Sequence, residues 1–337
     1  MADTTTSPDP AEFPSAKPIA AQARFLLDYA ILAPSSHNSQ PWAFEVTENA
    51  IRVYADLSRQ LTVADPDGRE LFLSVGCAIE NLLIAAERFG LEYTLEYVAT
   101  DDTQPAGDDG LRHVATVGLD SGSSSPSETD SALFEAITDR HTNHRPFEST
   151  TVPEPLLARL ERYANAAGLG LELVTDPAKR AEIAALQTSA DERQFADPEY
   201  RAELGYWIGS GALGTKWLTA RLSQLAVRHL DMGEREGRKN STLVTSAPVI
   251  GVLTAASDDE AARLRAGQAF ERIALTAASE GLAVHPMSQI LEVGEFRDDL
   301  AALLALEEGS PLHLFRLGYA EPETTRTPRR PLEEVLR

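Results

Sequence analysis

The chain has 337 residues, of which 43% are apolar, and 52 acidic against 30 basic side chains give it a formal charge of −22. Such a length can bury a substantial core in one large or two medium domains. So acidic a surface repels nucleic acid and anionic lipid, which excludes both as expected partners. The single cysteine, Cys77, rules out an intrachain disulfide framework and any multi-cysteine metal site. Its apolar neighbours, Val75-Gly76-Cys77-Ala78-Ile79, read as buried packing rather than a reactive thiol.

Residues 1–18 are polar and proline-rich, without the basic-then-apolar pattern of a signal peptide, and are expected to form a disordered tail. No window reaches 18 uncharged apolar residues, so no membrane span is expected and the location should be the cytoplasm. Residues 20–33 carry Phe25, Leu26, Tyr29, Ile31 and Leu32 at helical spacing. Residues 44–46 and 51–55 alternate as a hairpin around Glu48-Asn49. A long apolar helix over 71–89 ends at Gly90, and strands over 93–98 and 113–119 flank an acidic loop at 100–110. The run DSGSSSPSET at 120–129 has the composition of a linker, dividing the chain into halves at 19–119 and 130–337. The second half reads as a helix over 153–167, a strand over 171–174 and a helix from Pro177 capped by Asp176. Strands over 248–253 and 312–317 then flank a long helix over 261–280. The fold class is α+β with a central sheet.

The halves echo each other. Gly76-x-Ala78-x-Glu80 followed by Gly90-Leu91 recurs as Gly267-x-Ala269-x-Glu271 followed by Gly281-Leu282, at a constant offset of 191 residues. Any two buried helices share Gly and Ala, but several matches at one offset favour an internal duplication packed about a pseudo-two-fold axis.

Three polar runs stand out. The first, Ala33-Pro34-Ser35-Ser36-His37-Asn38-Ser39-Gln40-Pro41-Trp42, joins a helix to a strand. It is either a rigid loop offering hydroxyl and amide groups to a flat heteroaromatic ring, or a helix-capping turn over a buried Trp42. The second, Asp139-Arg140-His141-Thr142-Asn143-His144-Arg145-Pro146-Phe147, concentrates positive charge in an acidic protein. Arginine forks suit phosphate oxygens, while a solvated basic loop is the bland alternative. A metal site at His141 and His144 is discounted because no carboxylate or cysteine set completes it. The third, Arg326-Thr327-Pro328-Arg329-Arg330-Pro331, is a stiff basic segment just after a strand. Gly209-Ser-Gly211-Ala-Leu-Gly214 matches a dinucleotide-binding pattern in letters only, because a helical run precedes it.

Together these runs resemble the FMN-dependent nitroreductases, and their order most resembles the fused, single-chain Acg-like branch. APSSHNSQPWAFEV is similar to that family's ring-binding loop, and RHTNHRPF followed by VPEPLLARL to its Arg-x-Ser/Thr phosphate element and helix. NSTLVTSAPVIGVL, GLAVHPMSQI and TPRRPLEEVL are similar to its later segments. The resemblance covers most of residues 20–336 and implies a nitroreductase-like fold whose two pseudo-two-fold-related halves mimic the family's homodimer, leaving the chain monomeric. It implies that Arg140, Thr142 and either His144 or Arg145 hold the FMN phosphate and ribityl end, with Arg329 and Arg326 or Arg330 adding phosphate contacts. It further implies that Asn240, Pro286, Ser288 and Gln289 line the ring, and that Pro34, Ser35, Ser36 and Asn38 come from the opposite half. Because the two motifs complement rather than repeat, one FMN per chain is expected. Thr327 stands where the family often has Lys.

The implied activity is electron transfer from NAD(P)H through flavin to a nitroaromatic, quinone or similar small acceptor, with no catalytic side chain required. Residues 194–237, with Phe195, Tyr206, Trp207 and Trp217, read as a helical cover over the ring or as an ordinary aromatic core patch. A closed cover would instead make the chain an FMN-sequestering protein without turnover.

Overall fold

The computed structural model describes residues 8–98, 109–122, 128–213, 241–306, 309–323 and 326–337. Helix α1 (Ile19–Ala30) leads through a loop into the hairpin β1 (Trp42–Val46) and β2 (Ala50–Asp56), in which Val46 faces Ile51. Helix α2 (Arg69–Arg88) follows, then β3 (Leu91–Tyr97) and β4 (Leu111–Ser121). After α3 (Glu128–Asp139), the same succession returns as α4 (Glu154–Ala166), β5 (Gly170–Val174), β6 (Val249–Ala255), α7 (Glu260–Ser279), β7 (Ala283–Pro286) and β8 (Ser310–Gly318). Between β5 and β6 lie α5 (Pro177–Ala196) and α6 (Pro198–Ser210), the former capped by Asp176 as its sequence predicts. Short helices α8 (Gln289–Glu292) and α9 (Gly294–Leu303) precede β8, and α10 (Leu332–Val335) ends the chain.

The two sheets have one design. Their orders are β1-β2-β4-β3 and β5-β6-β8-β7, every pairing antiparallel. The central pair of each is interrupted by a register shift at the equivalent place, between Val53 and Tyr54 and between Leu253 and Thr254. Helices α2 and α7 cross at the glycines that the repeat singled out. A Cβ on Gly76 would stand 3.0 Å from the Gly267 Cα and collide with the Leu264 carbonyl oxygen; one on Gly267 would collide with the Leu73 carbonyl oxygen. These paired contacts keep the 191-residue offset, so they are related by the pseudo-two-fold axis. The Cys77 thiol donates to the Gly267 carbonyl (3.3 Å), and burial pushes its pKa up, as befits packing. One apolar cluster runs from Leu26 and Trp42 through Val75 and Ile79 to Ile273 and Leu317, so the halves share a core.

Three expectations are corrected. Within the expected tail, residues 8–18 are held in place: a short turn at Pro10–Glu12, capped by Asp9, leads to Phe13, which stacks on Phe89 at 4.1 Å and meets Phe25 edge-on. Aromatic burial, invisible in local polarity, fixes it. The linker expected at 120–129 is shorter, because β4 extends to Ser121 and α3 begins at Glu128; residues 123–127 fall outside the described set. The second half also does not end within itself. Leu332 and Val335 enter the shared core, Leu336 bridges Phe44, and the Arg337 N–H donates to the Phe44 carbonyl (2.8 Å).

Replacing Gly267 by Ala should force α2 and α7 apart against rigid backbone and cost about 1–3 kcal/mol or more. The Gly294→Ala control, where a Cβ meets nothing within 4 Å, should stay within about 0.5 kcal/mol. Urea denaturation midpoints of the two variants check this.

Candidate functional site

The Arg140 element begins where α3 stops. The Arg140 N–H still donates to the Ala136 carbonyl (2.8 Å), after which Thr142 pairs with Val284 at the edge of β7 and the Asn143 N–H donates to the Val284 carbonyl (3.1 Å). Arg316 of β8, fully buried, fixes this segment from beneath. Its guanidinium donates to the Asn143 carbonyl (2.9 Å) and to His285 Nδ1 (2.9 Å), and lies 3.9 Å from the centroid of the Phe147 ring. Burial holds its pKa down at about 10. Above lies a cavity of about 320 Å³ with an apolar floor of Phe270, Ala274 and Ala278, a side of Leu282, Val284 and Pro286, and a wall of Arg140 and Thr142; Glu323 and Arg326 also line it.

The loop after α1 holds a conformation few sequences accept. His37, Asn38 and Gln40 all have φ near 51°, and such left-handed residues cost on the order of 1 kcal/mol or more each. Contacts within and beyond the loop hold it. The Ser35 hydroxyl accepts the Gln40 N–H (2.9 Å), and the Ser36 hydroxyl donates to Glu70 (2.8 Å). Asn38 Nδ2 donates to the carbonyls of Ala212 (2.7 Å) and Pro328 (2.9 Å), and Gln40 Oε1 accepts the Arg330 N–H (2.8 Å). The C-terminal segment of the second half is therefore zipped onto the loop of the first. Trp42 is buried, as the capping-turn reading of the loop expects.

Arg329 joins the two walls. It donates to the Leu32 carbonyl (2.9 Å) and to Asn38 Oδ1 (3.3 Å). Burial pushes its pKa down to about 9, and the like charge of Arg140 pushes the same way. Between these cations sits Glu271 of α7, with no exposed surface and Oε1 3.3 Å from Arg140 Nε. Burial raises Glu271 to about 7, although Arg140 and Arg329 both oppose the rise. Asn81 of α2 bridges onward, its amide donating to Glu271 Oε1 (3.1 Å) and accepting from the Ala33 N–H (3.2 Å). Sequence reasoning missed Glu271 and Asn81 as site residues. Glu271 appeared only as a letter of the repeat, yet a carboxylate on a face shared with Ala274 and Ala278 was the signal available.

The structure thus brings Arg140, Thr142, Pro286 and Arg326 around one cavity; Arg329 is not part of its lining but faces Glu271 and is bonded to Asn38 and Leu32 of the loop. Pro34, Ser35 and Ser36 belong to the loop, but the hydroxyls of the serines are engaged inside it or with Glu70. Other candidates are committed elsewhere. Arg145 is half-exposed and pairs with Glu321 (2.8 Å) and Glu323 (3.9 Å); His144 is exposed and edge-on to His285. Arg330 reaches the Gln40 carbonyl (3.2 Å) and Asp56. Ser288 stands at the start of α8, where Gln289 accepts from Gln187 (3.1 Å). Asn240 lies outside the described residues, as do 214–237 of the expected cover. The described part of that cover docks on the first half, packing Phe195, Tyr200 and Trp207 against Leu61 and Ala64. Gly211 (φ 84°) closes helix α6, so the described part of the dinucleotide-like run, 209–213, is a helix end and its following turn. In the second half only residues 167–169 separate α4 from β5, where the first half has the 31–41 loop.

Beneath the loop lies a second group of buried acids. Glu70 meets Arg69 (2.6 Å) and stands 3.9 Å from His313, and Arg69 with His313 and Ser36 holds its pKa well below the carboxylate range despite burial. Glu292, which accepts from Gln194 (2.6 Å), is raised to about 8, by burial first and then by Glu70. Among the described residues, no cluster of three or more acidic, His or Cys side chains suits a metal ion. No described helix is long and apolar enough to cross a membrane.

The nitroreductase family model matches residues 137–319. A Mycobacterium tuberculosis protein provisionally named an NAD(P)H nitroreductase is 31% identical over 328 residues, covering 95% of this chain and 92% of its own. Acg of the same organism, with the same provisional name, is 27% identical over 90% of this chain and 92% of its own. A solved structure from Anabaena variabilis, provisionally named a nitroreductase, superposes with a TM-score of 0.55 over 90% of this chain and 88% of its own at 10% identity, a likeness of fold.

Because Glu292 is raised in the folded state, its folded form binds the extra proton between the unfolded carboxylate range and about pH 8. The associated stability is complete below that range and is lost as pH rises through 8, by up to roughly 1.4 kcal/mol per pH unit. Melting temperatures measured from pH 5.5 to 8.5 should fall for the parent chain and fall less steeply for Glu292→Gln.

Proposed function

The chain belongs to the nitroreductase family, and from that premise we propose that it is an NAD(P)H-dependent flavin oxidoreductase holding one FMN between its halves. The acceptor is a small nitroaromatic, quinone or similar molecule. The observation that carries this reading is electrostatic. In a chain of net charge −22, the buried Arg140 lines a cavity with an apolar floor and shares the Glu271 carboxylate with a second buried guanidinium, Arg329, from a separate segment. Two cations against one anion, taken out of water, call for a further anion, and arginine forks suit a phosphate.

The residues present fit FMN. Arg140 and Arg329 would hold the phosphate, with Thr142 and Arg326 beside them. Phe270, Leu282, Val284 and Pro286 would exclude water along the cavity. The Pro34–Asn38 loop, Ser288, Gln289 and Asn240 are proposed for the ring end, by family resemblance. His144 and Arg145 are the weaker phosphate candidates, since Arg145 is already paired with Glu321. Bound FMN supplies the reversible two-electron chemistry, and the protein supplies position, hydrogen bonds and a dry wall. One site per chain accords with the short 167–169 connection, which leaves the second half no ring-binding loop. Fusion of the halves makes a monomer sufficient for the site.

The chain purified without added flavin should show a flavin spectrum that bleaches anaerobically with NADPH or NADH and recovers with a nitroaromatic or quinone. Flavin that stays oxidised with both donors would favour a sequestering role, and a chain that binds no FMN would overturn the proposal. Arg140→Ala and Arg329→Ala should each weaken FMN binding by about 1.5–3 kcal/mol, roughly ten- to hundred-fold, with little effect on riboflavin, which lacks the phosphate.

A further inference from the structure

Glu271 is placed unlike its repeat partner. Glu80, the equivalent residue of α2, is buried but satisfied by Arg272 and by Gln268 Nε2 (3.2 Å). Glu271 has one engaged oxygen, Oε1, which faces Arg140 and Asn81. Its Oε2 is sealed from solvent with no hydrogen-bond partner. A half-satisfied buried carboxylate is costly when ionised, and it sits against Arg140, which lines the cavity, with the Arg329 charge nearby. We propose that Glu271 is an internal counter-charge for the cationic site: ionised and paired with Arg140 while no anion is bound, and protonated from solvent when a phosphate dianion reaches Arg140 and Arg329. The inference rests on the phosphate reading of that site. The exchange balances simply, since one solvent proton converts the carboxylate to a neutral acid and no other bond forms or breaks.

The surroundings support such an exchange. Glu271 is faced by Glu80, Asn81 and Cys77 from α2, by Arg140 from the segment after α3 and by Arg329 from the C-terminal segment. Burial and Glu80 favour the neutral acid; Arg140, Arg329 and Asn81 favour the carboxylate, and the balance falls near pH 7. The two guanidiniums, helped by the Asn81 amide, keep the group ionised. An arriving dianion draws on their positive field and adds its own negative charge, so both changes favour protonation. Uptake should approach one proton per site at pH 8, where the ligand-free carboxylate is mostly ionised. It should shrink toward pH 6, where the proton is already present. Affinity for a phosphate monoester therefore weakens as pH rises through 7.

The test is calorimetric titration of the flavin-stripped full chain with FMN at pH 8 and pH 6, in two buffers of different ionisation enthalpy. The parent chain should take up nearly one proton more than Glu271→Gln at pH 8 and little more at pH 6. Ionisation of the FMN phosphate is common to both and cancels. The variant should bind FMN at pH 8 at least as tightly as the parent, because it loses the competing anion; a role confined to bracing Arg140 would weaken binding at both pH values. Riboflavin supplies a control that needs no variant: its binding to the parent at pH 8 should carry no such uptake. Equal proton counts for parent and variant, or equal uptake with FMN and riboflavin, overturns this inference alone. Failure to bind FMN at either pH overturns the phosphate reading as well.

Discussion

The backbone contact between α2 and α7 at Gly76 and Gly267 sets most of what the molecule can do. With no side chain at either crossing point, each helix approaches the other until carbonyl oxygens of Leu73 and Leu264 lie where Cβ atoms would be. That spacing brings Asn81 and Glu271, each little more than one turn beyond its glycine, within hydrogen-bond reach. Glu271 faces Arg140, and Asn81 reaches Ala33 at the start of the first-half loop. The distance between two helix axes thus fixes the distance between the two walls of the site.

Symmetry governs the framework and fails at the functional ends. Both sheets share strand order and the position of the central register shift, yet each half has lost a different part. The second half keeps the Arg140 element and shortens its helix–strand connection to 167–169; the first keeps the long loop. At the C-terminus of α7, Ala278 and Gly281 line the cavity, whereas at the corresponding end of α2 Phe13 stacks on Phe89. One corner holds a cavity and its counterpart is packed with aromatic rings, so the duplicated frame is asymmetric there.

The C-terminal segment couples the halves. Its Arg329 and Arg330 hold the strained loop through Leu32, Asn38 and Gln40, and its final residues pair with Phe44. Strain at three left-handed positions survives because so many contacts converge on them. Of the arginines that orient the loop, Arg329 also places its charge beside Glu271. The order of the loop and the charge around Glu271 therefore both involve Arg329.

Although it did not mark α3, α8 or α9, sequence alone marked most of the long helices, the first hairpin and the duplication, because helical periodicity and capping residues are short-range signals. It also marked Gly76 and Gly267 as special. It could not tell Arg140 from Arg145, since the two look alike in one dimension. Burial against Glu271 separates the first, and the surface acids Glu321 and Glu323 claim the second. The order of the 8–18 segment and the pairing of Arg329 with a loop some 290 residues earlier were decided only by tertiary structure. Such contacts come from long-range packing, and no local pattern records which distant groups will share one buried volume.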